Sequence, residues 1–306
     1  MYLFSNKEAE EIAKSSEIDV NPNLRGYSLA PMFESLKGLN ISDVVDSYCD
    51  TKRRIYLKKK GVDFGINKAM IQGGAIHTLV ERIFKIVIKS GFNVSSELIN
   101  ELKSLKSDDI LVEIIWNGGR LQQLRNISDN EEDYLNSLNG IKDILNQLID
   151  FEIERINRFN DYSSDVELLD LEKYVDASIF NLGTGKIDLL ARYHNKIGIC
   201  DLKTGYPVGD NLDAKYQIAL YSMMMENEYK VDINWGAVIF PFEKIGRIKR
   251  VRDEPYKDIF PIGDTIRQGV IMELNKINDL LERDDLPPIC NKYCTSKDIC
   301  RMGVSE

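Results

Sequence analysis

Several things are missing from this 306-residue chain. No apolar run approaches the ~18 residues needed to cross a bilayer, which speaks against a membrane-spanning helix. Met1-Tyr2-Leu3-Phe4 leads straight into charged sequence rather than a signal core, so the protein is expected to be soluble and cytoplasmic, with no membrane partner. Internal repeats and low-complexity segments are absent, which removes repeat architectures. Cysteine is limited to five residues, and in a reducing cytosol these are not expected to form structural disulfides. Histidine is limited to His77 and His194. Positive charge is in deficit: 40 Lys and Arg against 49 Asp and Glu leave a formal net charge of -9, the opposite of the basic footprint common to polyanion binders.

What is present is locally concentrated. Lys52, Arg53, Arg54, Lys58, Lys59 and Lys60 form one basic run, and Lys244, Arg247, Lys249, Arg250 and Arg252 form another. Each can meet phosphates or can be a solvated helix face or strand edge. A hydrophobic content of 43% is enough for a full core.

Residues 1–160 read as mainly helical. Ser42 is placed as an N-cap, apolar residues from Ile76 to Val87 recur at helical spacing within a helix over 69–89, and a further helical pattern covers 107–159 without recognisable chemistry. The period then changes. Strand-like alternation runs from Val166 to Lys203, with turns at Gly183-Thr184-Gly185 and His194-Asn195-Lys196. A helix over 213–228, an apolar strand over 233–240 ending at Pro241, an exposed strand over 245–251 and a helix over 260–283 follow. The tail, 284–306, contains Cys290, Cys294 and Cys300.

The chemistry concentrates in Gly185-Lys186-Ile187-Asp188 and Cys200-Asp201-Leu202-Lys203-Thr204-Gly205. Strand alternation puts the Asp201 carboxylate and the Lys203 amine on one side, with Asp188 one hairpin away. Paired carboxylates suit Mg²⁺ or Mn²⁺, and a lysine beside them can hold or deprotonate an attacking water or balance charge on a phosphorane-like transition state. The implied reaction is phosphodiester hydrolysis. By itself D-x-K is a common surface pattern; here the apolar residues around Asp201 bury it and demand a partner.

His77 follows Gly73-Gly74 inside a helix, where each glycine costs about 1 kcal/mol relative to alanine, so something must approach closely there. Gln217 and Tyr221 share one helix face and can reach the lysine, though such a pair is commonly ordinary helix surface. Met223, Met224 and Met225 read as core filling, and His194 as surface.

The ordered set His77, Asp188, Asp201-Leu202-Lys203 and Gln217-x-x-x-Tyr221 resembles the RecB-like nucleases of the PD-(D/E)-x-K superfamily, with Ile187 where that name has proline. With one cysteine before His77 and three after the nuclease core, the chain resembles the CRISPR-associated iron-sulfur exonucleases that work with the spacer-integration machinery. Asn23-Leu24-Arg25-Gly26-Tyr27 and Ser47-Tyr48-Cys49-Asp50-Thr51-Lys52-Arg53-Arg54 resemble their archaeal subtype I-A branch. The resemblance implies an α/β fold: a central mixed sheet flanked by helices over 165–283, a helical amino-terminal part, and a cysteine-cluster lobe joining the tail to Cys49. It implies His77, Asp188, Asp201 and the main-chain carbonyl of Leu202 as ligands of Mn²⁺ or Mg²⁺, Lys203 as the catalytic lysine, and Gln217 and Tyr221 as positioning lysine and DNA. It also implies cleavage of single-stranded DNA from an end, 5′ to 3′, before integration, with the CRISPR integration proteins as partners.

Cys49, Cys290, Cys294 and Cys300 can hold a 4Fe-4S cluster or a structural zinc ion. Their spacing together with the resemblance favours the cluster. Cys200, on the face opposite Asp201, reads as a small buried hydrophobe. A staple through Cys49 would place Lys52, Arg53 and Arg54 beside the cleft as a DNA-binding patch. A non-catalytic DNA- or protein-binding subunit and a RecB-like repair nuclease stand as alternatives.

Overall fold

Local capping signals begin many of the helices in this computed structural model, which describes residues 3–30, 33–45, 49, 51–91, 95–158, 162–207, 209–245, 248–287 and 300. Ser5 and Glu8 form a capping box at α1 (Asn6–Ser16). Asn40, rather than Ser42, caps α2 (Ile41–Val44), because its side chain and that of Asp43 exchange bonds with the two backbone N–H groups. After α3 (Arg53–Lys59), Asn67 caps α4 (Lys68–Lys89) and Ser95 caps α5 (Ser96–Lys103). The helical stretch read as 107–159 is α6 (Ser107–Gly118), α7 (Arg120–Asn126) and α8 (Glu131–Asn157), broken by Gly119 at φ 62 and by Asn130, which caps α8.

The sheet holds β1 (Val166–Val175), β2 (Gly185–Tyr193), β3 (Lys196–Leu202), β4 (Ile233–Ile245) and β5 (Ile248–Pro261), in that spatial order. Pairing is antiparallel except between β3 and β4, which run parallel and need a crossover. That crossover is α9 (Leu212–Tyr229). The sheet is therefore mixed, with helices on both faces, as expected of the nuclease core.

Alternation along β3 sorts its side chains. Cys200 and Leu202 enter a core with α1, α4 and α8, whereas Ile199 enters the opposite core with α9 and α10 (Asp264–Arg283). Cys200 is fully buried, and burial pushes its thiol far above the usual range. Met223, Met224 and Met225 are buried in the core, as read.

The two carboxy-terminal strands outrun their sequence signals. β4 continues through Pro241 because a register irregularity between Phe240 and Phe242 absorbs the missing N–H. β5 extends to Pro261, so Phe260 is in a strand and α10 starts only at Asp264. Its residues from 252 onward lack a clear apolar pattern, and those from Tyr256 to Pro261 are held by cross-strand pairing with β4.

The Asn23–Tyr27 segment anchors the amino-terminal part. Arg25 donates to Glu226 Oε1 at 2.7 Å and to Asn234 Oδ1 at 2.7 Å, while Arg267 donates to both Glu226 oxygens at 2.8 Å. Gly26 permits this, since a Cβ there would lie 1.7 Å from the carbonyl oxygen of Met223. Among the described residues, no helix is long and apolar enough to cross a membrane.

Candidate active site

The β2–β3 hairpin and its flanking helices assemble the polar cluster. Asp188 Oδ2 accepts the Leu202 N–H at 2.7 Å, tying the two strand ends together, and Asp188 Oδ1 lies 3.5 Å from His77 Nδ1 on α4. Asp201 is 4% exposed. Its Oδ2 faces Lys203 Nζ at 2.9 Å as an ion pair, but without an aligned hydrogen bond. Lys203 donates to Gln217 Oε1 at 2.6 Å, and Gln217 Nε2 donates to the Tyr221 hydroxyl at 3.1 Å. The helix face read from the sequence thus reaches the lysine. Gly185 makes room for this chain, because a Cβ there would lie 2.7 Å from Tyr221 Cε1 and 2.6 Å from Ile41 Cδ1.

Charge within the cluster is mutually tuned. Burial and the neighbouring Asp188 charge push the Asp201 carboxyl up, against Lys203. Burial acts the same way on Asp188, yet His77, the Leu202 N–H and Lys203 outweigh it and hold that carboxyl below its ordinary range. For His77 and Lys203 burial disfavours the charge, and the adjacent carboxylates more than offset it, so both sit above their ordinary values.

Ligand atoms of His77, Glu172 and Asp188 all fall within 4.8 Å of one another. Asp201 is not in that group; its carboxylate is turned to Lys203. An imidazole nitrogen with carboxylate oxygens suits Mn²⁺ or Mg²⁺, and the buried Asp201 Oδ2, paired with Lys203 but without an aligned hydrogen bond, keeps capacity for a further partner. The donor set therefore fits a divalent cation. Glu172 lies outside the sequence motifs; it joins the cluster because β1 pairs with β2 so that Leu171 and Lys173 bracket it opposite Asp188.

Two clefts flank the cluster. One, of about 660 Å³, is lined by His77, Glu172, Asp188, Gly73, Gly74 and Arg120; the other, of about 610 Å³, is lined by Lys203, Gln217 and the 204–206 turn, and both share Thr204. The glycine pair in α4 does have close neighbours. A Cβ at Gly73 would lie 3.1 Å from Thr204 Oγ1, and one at Gly74 would lie 1.8 Å from Arg120 Nη1. Arg120, from the stretch in which the sequence showed no chemistry, is an exposed guanidinium in the cleft lined by His77 and Asp188.

The basic run after Cys49 has a different place from the one expected. Lys52 is 5% exposed and paired with Glu273, and Arg53 is 4% exposed. Arg53 donates to the carbonyl oxygens of Pro287 at 2.5 Å and Cys300 at 3.2 Å. Arg54 lies over the Phe64 ring at 5.3 Å. Lys52, paired with α10, and Arg53, bonded to Pro287 and Cys300, are thus buried inside the protein instead of forming a surface patch open to DNA. Buried charges require such partners.

Cys49 and Cys300 are both buried beside α3. The Arg54 N–H donates to Cys49 Sγ at 3.3 Å, and Cys300 packs on Tyr56 and Leu57. Cys290 and Cys294 lie outside the described residues.

The chain is 23% identical to the CRISPR-associated exonuclease Csa1 of Saccharolobus solfataricus over 314 aligned positions, covering 97% of each chain. The family model described as CRISPR-associated exonuclease Csa1 matches residues 4–303. With that match spanning nearly its whole length, the chain belongs to the CRISPR-associated exonuclease Csa1 family.

Proposed function

We propose that this protein is a metal-dependent exonuclease for single-stranded DNA, acting 5′ to 3′ in the cytoplasm, that processes fragments before the CRISPR integration proteins insert them. The observation that carries the reading is the chain from Asp201 through Lys203 and Gln217 to Tyr221, set beside Asp188 and His77. A binding subunit would have no need of a buried carboxylate, lysine and amide in linked contact at the end of a core strand.

His77, Asp188 and Asp201, with the main-chain carbonyl of Leu202, would hold Mn²⁺ or Mg²⁺. When bound, the cation would lower the pKa of a coordinated water and polarise the phosphoryl oxygen. Lys203, a donor to Gln217 and an ion-pair partner of Asp201, offers a fixed positive charge to the oxygen on which negative charge develops. Gln217 and Tyr221 keep that ammonium aimed by holding its acceptor in place. Arg120 supplies a cation for a backbone phosphate of the incoming strand. Cys49, Cys290, Cys294 and Cys300 would hold a 4Fe-4S cluster, and the N–H donated to Cys49 Sγ suits a thiolate ligand.

The test is cleavage of end-labelled single-stranded DNA with Mn²⁺ or Mg²⁺ by anaerobically purified protein. Wild type should shorten the 3′-labelled strand progressively, and Asp201→Ala and Lys203→Ala should each lose at least ~100-fold in rate. DNA binding without cleavage in wild type would instead support the binding-subunit reading.

A further inference from the structure

We infer that Glu172 is an additional ligand of the divalent cation, sharing it with His77 and Asp188; the inference rests on the nuclease reading and adds a residue to its site. Strand β1 contributes no motif residue, yet it places a carboxylate directly across from Asp188. Glu172 does so with φ 54, a left-handed conformation that residues other than glycine rarely adopt and seldom within a strand. The β1–β2 register has its irregularity between Leu168 and Asp170 and then holds from Asp170 to Val175, so the left-handed residue falls within a regularly paired run. An outlier of that kind at a polar cluster is a reason to ask what the side chain is held for.

Its present partner does not answer the question. Lys186 forms an ion pair with Glu172, but the Lys186 side chain is 44% exposed while that of Glu172 is 12% exposed. An ion pair with a solvated lysine contributes little and does not require a strained backbone. The Glu172 carboxylate also has ligand atoms of His77 and Asp188 within 4.8 Å, and all three line the 660 Å³ cleft, which is open for a hydrated cation to enter. Hard divalent ions take several oxygen ligands and keep some water, so a further carboxylate extends the set without closing it. On cation binding Glu172 exchanges the Lys186 ammonium for the metal, and Lys186 turns to solvent.

The experiment measures Mn²⁺ affinity by calorimetry on the cluster-loaded full chain, for wild type, Glu172→Gln, Glu172→Asn and Asp188→Asn. Asparagine tolerates the left-handed backbone, so the second variant guards against misfolding of the first. A third variant, Glu172→Cys, exchanges a hard ligand for a soft one. Both Glu172 amides should weaken Mn²⁺ binding at least ~10-fold. Glu172→Cys should lose Mn²⁺ and gain a thiolate-to-Cd²⁺ charge-transfer band absent from wild type. Wild-type Mn²⁺ affinity in the Glu172 amides, with affinity lost in Asp188→Asn and no new Cd²⁺ band, would reduce Glu172 to a partner of Lys186 and overturn the inference alone. Unchanged affinity in Asp188→Asn as well would overturn the metal site, and the nuclease reading with it.

Discussion

A Cβ placed on Gly74 would collide with Arg120 Nη1, which is the far end of a flexible, exposed side chain, so the guanidinium can move aside. Gly74→Ala therefore relieves a mid-helix glycine worth about 1 kcal/mol and should raise Tm by roughly 2 °C. The same methyl group expels Arg120 from the cleft. Single-stranded DNA should then bind more weakly, with the slope of log K against log[salt] reduced by ~0.7, the value for one lost phosphate contact. Arg120→Ala should reproduce the binding defect without the gain in Tm. A fluorescence-anisotropy salt titration beside a thermal melt separates the two. Glycine at this position is thus explained by room for a cation. The sequence announced that something approached α4, but the approaching group came from α7, about 46 positions further on, where no pattern singled it out.

Elements are tied to one another by buried charge as much as by apolar packing. Glu226 on α9 is fully buried and accepts from Arg25, Arg267 and the backbone N–H groups of Gly26 and Ile233. One carboxylate thereby holds the amino-terminal segment, the start of β4 and α10 against the crossover helix. Glu226→Gln leaves two buried guanidinium groups facing a neutral amide and should cost about 3–5 kcal/mol, read as a fall in the urea midpoint. Because α9 also carries Gln217 and Tyr221, the loosened helix should lower the rate of any cleavage without altering the ligands. The Asn23–Tyr27 motif is therefore structural: it locks the helix that aims the lysine. Resemblance made the motif visible, whereas its partner lies some 200 positions away and could be found only by folding the chain.

At the scale of the whole molecule, Pro287 and Cys300 are brought back onto α3. Arg53 reaches the carbonyls of Pro287 and Cys300 while the Arg54 N–H meets Cys49 Sγ, so α3 is tied both to residues near the carboxy terminus and to buried Cys49. Metal held by such thiols would be coupled to folding. Arg53→Ala should lower the iron content per chain and the thermal stability together. The salt slope of DNA binding should stay at the wild-type value, because Arg53 is buried. A change in that slope with iron retained would return Arg53 to the DNA surface. Net charge of -9 is consistent with this division, in which part of the basic complement is used internally and the cleft relies on a few placed cations.

Sequence by itself determined the core chemistry. Alternation put Asp201 and Lys203 on one side and helical spacing put Gln217 and Tyr221 together, because these relations depend only on local periodicity, while the family was indicated by resemblance of the ordered motifs. Tertiary structure alone decided which distant groups share the cleft. Glu172 enters through strand pairing and Arg120 through helix packing, while Lys52 and Arg53 leave the candidate DNA surface because folding buries them. The end of β5 and the passage of β4 through Pro241 were hidden for the same reason: a strand held by its neighbour carries no signal of its own.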